Sequence, residues 1–170
     1  MYEVNHFVLE KIDELRGRGY KTALLSNSIR EFRPKLEEDV PPRLFDAYID
    51  SSHVGMRKPE PEELADAAAA LDWLQQQNPD ASRVLVAGFS FGAWICMQLL
   101  MRRPEISGFI AISPPANMYD FNFLAPCPVS GQIIQGTHDT IVETASVDKM
   151  VNRLNMQRGI KMDYVHVPGA

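Results

Sequence analysis

The chain is poor in the residues that build metal centres and disulfide frameworks. Its 170 residues hold two cysteines, Cys96 and Cys127, and four histidines, His6, His53, His138 and His166, all far apart in sequence. Neither a Cys-x-x-Cys motif nor a zinc-ligand spacing is present, so no metal site is expected and a reducing compartment is. No apolar run approaches the length of a bilayer span, and the N-terminus has no basic region ahead of an apolar stretch. A soluble, cytoplasmic protein with no membrane partner is therefore expected. Positive charge is also scarce: 17 Lys and Arg stand against 22 Asp and Glu, a net charge of −5. The adjacent basic pairs are Arg57-Lys58 and Arg102-Arg103, too few for a nucleic-acid footprint. Internal repeats and low-complexity tracts are missing as well.

What is present is a globular composition, 45% apolar, long enough for one domain or one domain plus a fragment. Helical spacing of Val8, Ile12 and Leu15 predicts a helix over about residues 4–17. Short strands are predicted at 22–25 and 47–50, with a helix opening at the Ser28-x-x-Glu31 capping box between them. Arg57-Lys58-Pro59-Glu60-Pro61 reads as a loop. Beyond it, helices are predicted over 63–77, 91–102 and 142–157. Strands are predicted at 82–87, 108–112, 132–134 and 161–167. Strands alternating with helices predict an α/β fold, a mostly parallel sheet covered by helices on both faces.

The most informative segment runs Val84-Leu85-Val86-Ala87-Gly88-Phe89-Ser90-Phe91-Gly92. An apolar strand enters a Gly-x-Ser-x-Gly turn and a helix follows, the layout of a nucleophile elbow. Ser90 would sit on a strained bend, and Gly88 and Gly92 are expected to remove side-chain collisions around it. A serine hydroxyl is a weak nucleophile until a base takes its proton, and in the usual triad a carboxylate orients that base. In this layout the acid follows the serine in chain order, and Asp139, after the strand at 132–135, is the natural choice. A turn aspartate capping the next helix is the competing reading of Asp139. The base histidine is expected after the last strand. His166 lies within that strand, alternating with Tyr164 and Met162, and His138 reads as a turn residue.

Residues from about 62 to 170 resemble the α/β-hydrolase superfamily. The likeness rests on Gly88-Phe89-Ser90-Phe91-Gly92-Ala93-Trp94, on Leu99-Leu100-Met101-Arg102-Arg103-Pro104-Glu105 and on Pro114-Pro115-Ala116-Asn117. The resemblance implies Ser90 as nucleophile, Asp139 as acid and the backbone N–H of Phe91 as one oxyanion-hole donor. Val167-Pro168-Gly169-Ala170 resembles the segment just before the family's catalytic histidine, which places the base one or two residues beyond Ala170. It also implies that the hydrolase part is incomplete, without the early strands and the loop that gives the second oxyanion donor. Residues 1 to about 61 resemble haloacid dehalogenase-like hydrolases of the branch associated with epoxide hydrolases. That likeness rests on Leu24-Leu25-Ser26-Asn27-Ser28 and Val54-Gly55-Met56-Arg57-Lys58-Pro59-Glu60-Pro61. It implies a remnant anion site of Ser26, Asn27 and Lys58, without the family's nucleophilic aspartate.

The expectation is a two-part chain, 1–61 and 62–170, joined near residues 59–63. Its second part would act on a small-molecule ester, thioester or amide through Ser90, without a cofactor. The alternatives are a phosphatase or dehalogenase remnant in the first part, or a chimeric fragment without turnover. Phe121-Asn122-Phe123-Leu124 and Trp94 read either as an acyl pocket or as plain core. A sheet lacking its first strands would leave an apolar edge, through which self-association is expected.

Overall fold

A computed structural model describes residues 6–26, 30–50 and 61–169. These form two compact units, Met1–Pro79 and Asp80–Ala170. In the first, α1 (His6–Gly17) leads to β1 (Ala23–Ser26), α2 (Arg33–Asp39), β2 (Ala47–Asp50) and α3 (Pro61–Gln77). The two strands pair in parallel, Ala23 beside Ala47 and Ser26 beside Asp50. Asp46 ties the unit together. Its carboxylate accepts from Arg16 at 2.6 Å and from the Thr22 N–H at 3.0 Å, while the Thr22 hydroxyl donates to the Leu44 carbonyl at 2.9 Å. Ser28, where a helix is expected to open, lies outside the described residues; a 3-10 turn over Arg30–Phe32 leads into α2 at Arg33, which has a proline in its first turn. A proline lacks the N–H that a first turn leaves unpaired, so it is well placed there. The helix over 61–77, sequence-adjacent to the hydrolase-like motifs, packs against β1 and β2.

The second unit follows the strand–helix alternation expected of it: β3 (Val84–Phe89), α4 (Phe91–Leu100), β4 (Ile106–Ile112), β5 (Gly131–Gly136), α5 (Thr144–Asn155) and β6 (Met162–Val167). The sheet order is β3-β4-β5-β6 and every ladder is parallel. Parallel neighbours need long right-handed crossovers, and successive crossovers in one direction place their helices on the same face. The packing agrees. α4 lies on β3 and β4, and α5 on β5 and β6. Between them Ala93, Met97, Phe109, Ala111, Ile133, Val147, Leu154 and Met162 are buried. The Phe109 ring lies over Gly131, where a Cβ would come within 2.5 Å of it, so only glycine lets that ring settle. On the opposite face Leu85 and Phe89 of β3 are 53% and 68% exposed, and Val165 and Val167 of β6 are also exposed.

Among the described residues no helix is long and apolar enough to cross a membrane, and no group of His, Cys, Asp and Glu could hold a metal ion. Both cysteines are free; burial pushes the Cys96 thiol up to about 12 and also raises that of Cys127, so neither is a ready thiolate.

Ile133 is fully buried between the sheet and its helices. Ile133→Ala is expected to destabilise this unit by about 2–5 kcal/mol, the range for emptying such a site. Urea unfolding followed by Trp94 fluorescence in a Trp73→Phe background measures it.

Candidate active site

β3 ends in a turn that the backbone can make only under constraint. Ser90 has φ 51° and ψ −120°, a conformation that L-residues rarely adopt. Its N–H donates to the Ile112 carbonyl at 2.8 Å, and its own carbonyl accepts from Ala93 at 2.9 Å. The first bond fixes the bend to the neighbouring strand and the second starts α4. Gly88 makes room for the bend, since a Cβ there would lie 2.3 Å from the Gly92 carbonyl oxygen. For Gly92 the expectation needs correction: a Cβ at that position would meet nothing within 4 Å. The collision is one-sided, between a side chain at 88 and the backbone at 92. Phe91, the first residue of α4, carries its N–H in the helix's opening turn, where amides point away from the helix.

Asp139 stands two strands away, past the end of β5. Because all four strands run in parallel, Ser90 and Asp139 lie at the same edge of the sheet, the carboxyl edge. Two strand spacings put their backbones roughly 10 Å apart. One carboxylate oxygen of Asp139 accepts from the backbone N–H groups of Ile141 and Val142, both at 2.9 Å. The other receives the Gln135 amide at 3.3 Å. The Ser113 hydroxyl also donates to the carboxylate. The Val142 N–H above all, with smaller help from Ile141, Ser113 and Gln135, holds this carboxyl below the usual carboxylate range against the opposing cost of burial. Asp139 thus holds the turn ahead of α5 but does not cap that helix, whose N-cap is Glu143 without a side-chain bond; its second oxygen is bound by side chains only.

Ser113 and Gln135 were not singled out in the sequence. Ser113 ends β4 with φ 45°, its N–H on the Ile134 carbonyl at 2.8 Å. Gln135 is wholly buried, and its amide also donates to the carbonyls of Val142 and Gly136. A glutamine inside an apolar strand four residues before the acid was the available signal. Asn117, from the Pro-Pro-Ala-Asn run, donates to the Ile141 carbonyl at 3.0 Å and joins the loop after β4 to the loop holding Asp139.

Neither histidine of this unit lies between Ser90 and Asp139. His166 faces Asp148, 3.6 Å away, and its ring meets Tyr164 edge-on. His138 is exposed beside Thr137. The chain leaving β6, however, runs alongside the acid loop. Thr137 N–H donates to the Val167 carbonyl at 3.0 Å, and Gly169 N–H to the Thr137 hydroxyl at 3.3 Å. Next to Ser90, Phe91, Trp94 and Tyr119 form an aromatic cluster with ring centroids 5.3–5.6 Å apart, and the Trp94 indole donates to the Asp120 carbonyl. Phe121 and Leu124 are buried, so that segment contributes to the core. Of the other site expected from sequence, Ser26 closes β1, while Asn27 and Lys58 lie outside the described residues.

Residues 51–162 match the family model of X-Pro dipeptidyl-peptidases, the S15 family. The chain belongs to this family. A solved structure from Agrobacterium tumefaciens, a protein of unknown function classed as a candidate α/β hydrolase, is 40% identical with a TM-score of 0.67. That match covers 89% of this chain and 77% of the other, which also places the chain among the α/β hydrolases. A Xanthomonas campestris α/β serine hydrolase without a lid is 30% identical with a TM-score of 0.56, over 64% of this chain and 46% of that one. An uncharacterised protein of Rickettsia prowazekii is 61% identical over 112 residues, 64% of this chain. This S15-family chain spans about half, 47%, of that curated relative's length. No comparison supports the haloacid dehalogenase-like resemblance of residues 1–61, and a match covering 89% of the chain extends well into that segment.

The depressed Asp139 carboxyl has a consequence for pH. A group held below its unfolded value contributes stability that is full above the ordinary carboxylate range, and the contribution is lost as pH falls through the folded value. Below about pH 4, the parent chain is expected to lose stability more steeply than Asp139→Asn, which cannot titrate there. Thermal unfolding across pH 2–6 compares the two slopes.

Proposed function

We propose that this S15-family chain is the catalytic core of a serine hydrolase acting by acyl transfer on a small-molecule ester, thioester or amide. Ser90 is the nucleophile in this reading, on what is then a nucleophile elbow. The Phe91 N–H is one oxyanion donor and Asp139 the acid. A single observation carries it: a serine held at φ 51° at the same sheet edge as a carboxylate fixed by two backbone N–H groups. The base is a histidine that a longer form of the chain would carry directly after Val167-Pro168-Gly169-Ala170. The bonds from Thr137 to Val167 and from Gly169 to Thr137 support this, because they run the departing backbone beside Asp139. An imidazole there would fill the gap of roughly 10 Å between acid and serine. The amide substrate accords with the peptidase named by the family model, and the lidless Xanthomonas relative accords with an open site.

The test is covalent labelling, in a form of the chain that carries this histidine, with a fluorophosphonate followed by peptide mapping. The adduct is expected on Ser90 and is expected to vanish in Ser90→Ala. In a form of the chain that carries this histidine, Asp139→Asn should slow hydrolysis of a p-nitrophenyl ester by on the order of 10²–10⁴-fold, as loss of the orienting acid does elsewhere. Labelling that persists in Ser90→Ala would remove the reading.

A further inference from the structure

A cavity of about 250 Å³ lies between the loop after β4 and one flank of α5. The helix contributes Ser146, Lys149 and Arg153, which succeed one another along a single side of it. The loop contributes Tyr119, Asp120 and Asn122. The buried side of the same helix, Val147, Met150, Val151 and Leu154, anchors it to the sheet, so the polar flank is held in place.

The charges in this cavity are unbalanced. Arg153 donates to the side-chain carbonyl of Asn122, a neutral partner that occupies one of its five N–H donors. Lys149 pairs with no carboxylate among the described residues, and neither does Arg153. Asp120, the acid of the lining, accepts the Asn122 N–H at 2.8 Å. Two cations one helical turn apart repel each other modestly, in a chain that is otherwise acidic overall. A dianion seated between them removes that repulsion and takes up the remaining guanidinium donors, while the Ser146 hydroxyl donates to the Glu143 carboxylate at 3.4 Å. The volume exceeds that of the anion alone, and the Tyr119 ring forms part of the wall beside it.

We infer that this cavity binds a phosphate dianion, Lys149 and Arg153 gripping the phosphoryl oxygens. The same chemistry is offered by a phosphate ester of a small molecule and by free phosphate. The site takes no part in the acyl-transfer reading and stands or falls apart from it.

Isothermal titration at constant ionic strength, with phenyl phosphate, inorganic phosphate and benzoate as probes, tests the inference. Saturable binding of phenyl phosphate or inorganic phosphate, weakened at least tenfold by Lys149→Ala and by Arg153→Ala, is expected. Tighter binding of phenyl phosphate supports an esterified ligand resting on Tyr119, and tighter binding of inorganic phosphate supports the free ion. Lys149→Ala touches no hydrogen bond described here, so it keeps the test valid if Arg153→Ala disturbs the loop. Absence of saturable binding, retention of affinity in Lys149→Ala, or benzoate binding as well as the phosphates would overturn it.

Discussion

The backbone of Gly92 passes so close to Gly88 that no side chain fits between them. The rest of the sheet edge depends on this approach. It allows the chain to reverse from strand to helix within a single residue, and Ser90 absorbs the strain of that reversal. A conformation of this kind costs on the order of 1–3 kcal/mol and persists only where its surroundings over-determine it. Here the bond from Ser90 to Ile112 and the buried face of α4 supply the constraint. The bend in turn fixes where the helix starts, and hence where the Phe91 amide and the Trp94 ring stand.

The Asp139 side is built differently. Asp139 is not strained; it is surrounded by donors. Two backbone amides hold one oxygen, while Gln135 and Ser113 approach from the ends of two strands. The Gln135 amide nitrogen also donates to the carbonyls of Val142 and Gly136, while its Oε1 is buried without a hydrogen-bond partner. One edge of a four-stranded sheet thus carries a residue fixed by backbone geometry and another fixed by hydrogen bonding. The parallel order places them on the same side.

Local signals made much of this legible before any coordinates. The strand at 47–50 stands where periodicity placed it, while the strand expected at 82–87 runs over Val84–Phe89 and the helix expected over 91–102 ends at Leu100. The parallel α/β class follows from the alternation itself. Contacts distant in sequence were not legible. Ser113 reaches Asp139 only because β4 and β5 are neighbours, and Arg153 reaches Asn122 across 31 positions. The capping serine at position 28 lies outside the described residues, and α2 starts at Arg33 with Pro34 in its first turn. The division of the chain into compact units falls after the helix over 61–77, because that helix has its partners in β1 and β2, which no sequence signal ties to it.

The uncovered face of the second sheet has a further bearing. Leu85, Phe89, Val165 and Val167 keep their hydrocarbon in contact with water on the side away from α4 and α5. Hydration of such a surface becomes less favourable when sulfate or similar salts are excluded from the protein boundary. Kosmotropic salts therefore raise the cost of keeping these side chains in water, and urea lowers it.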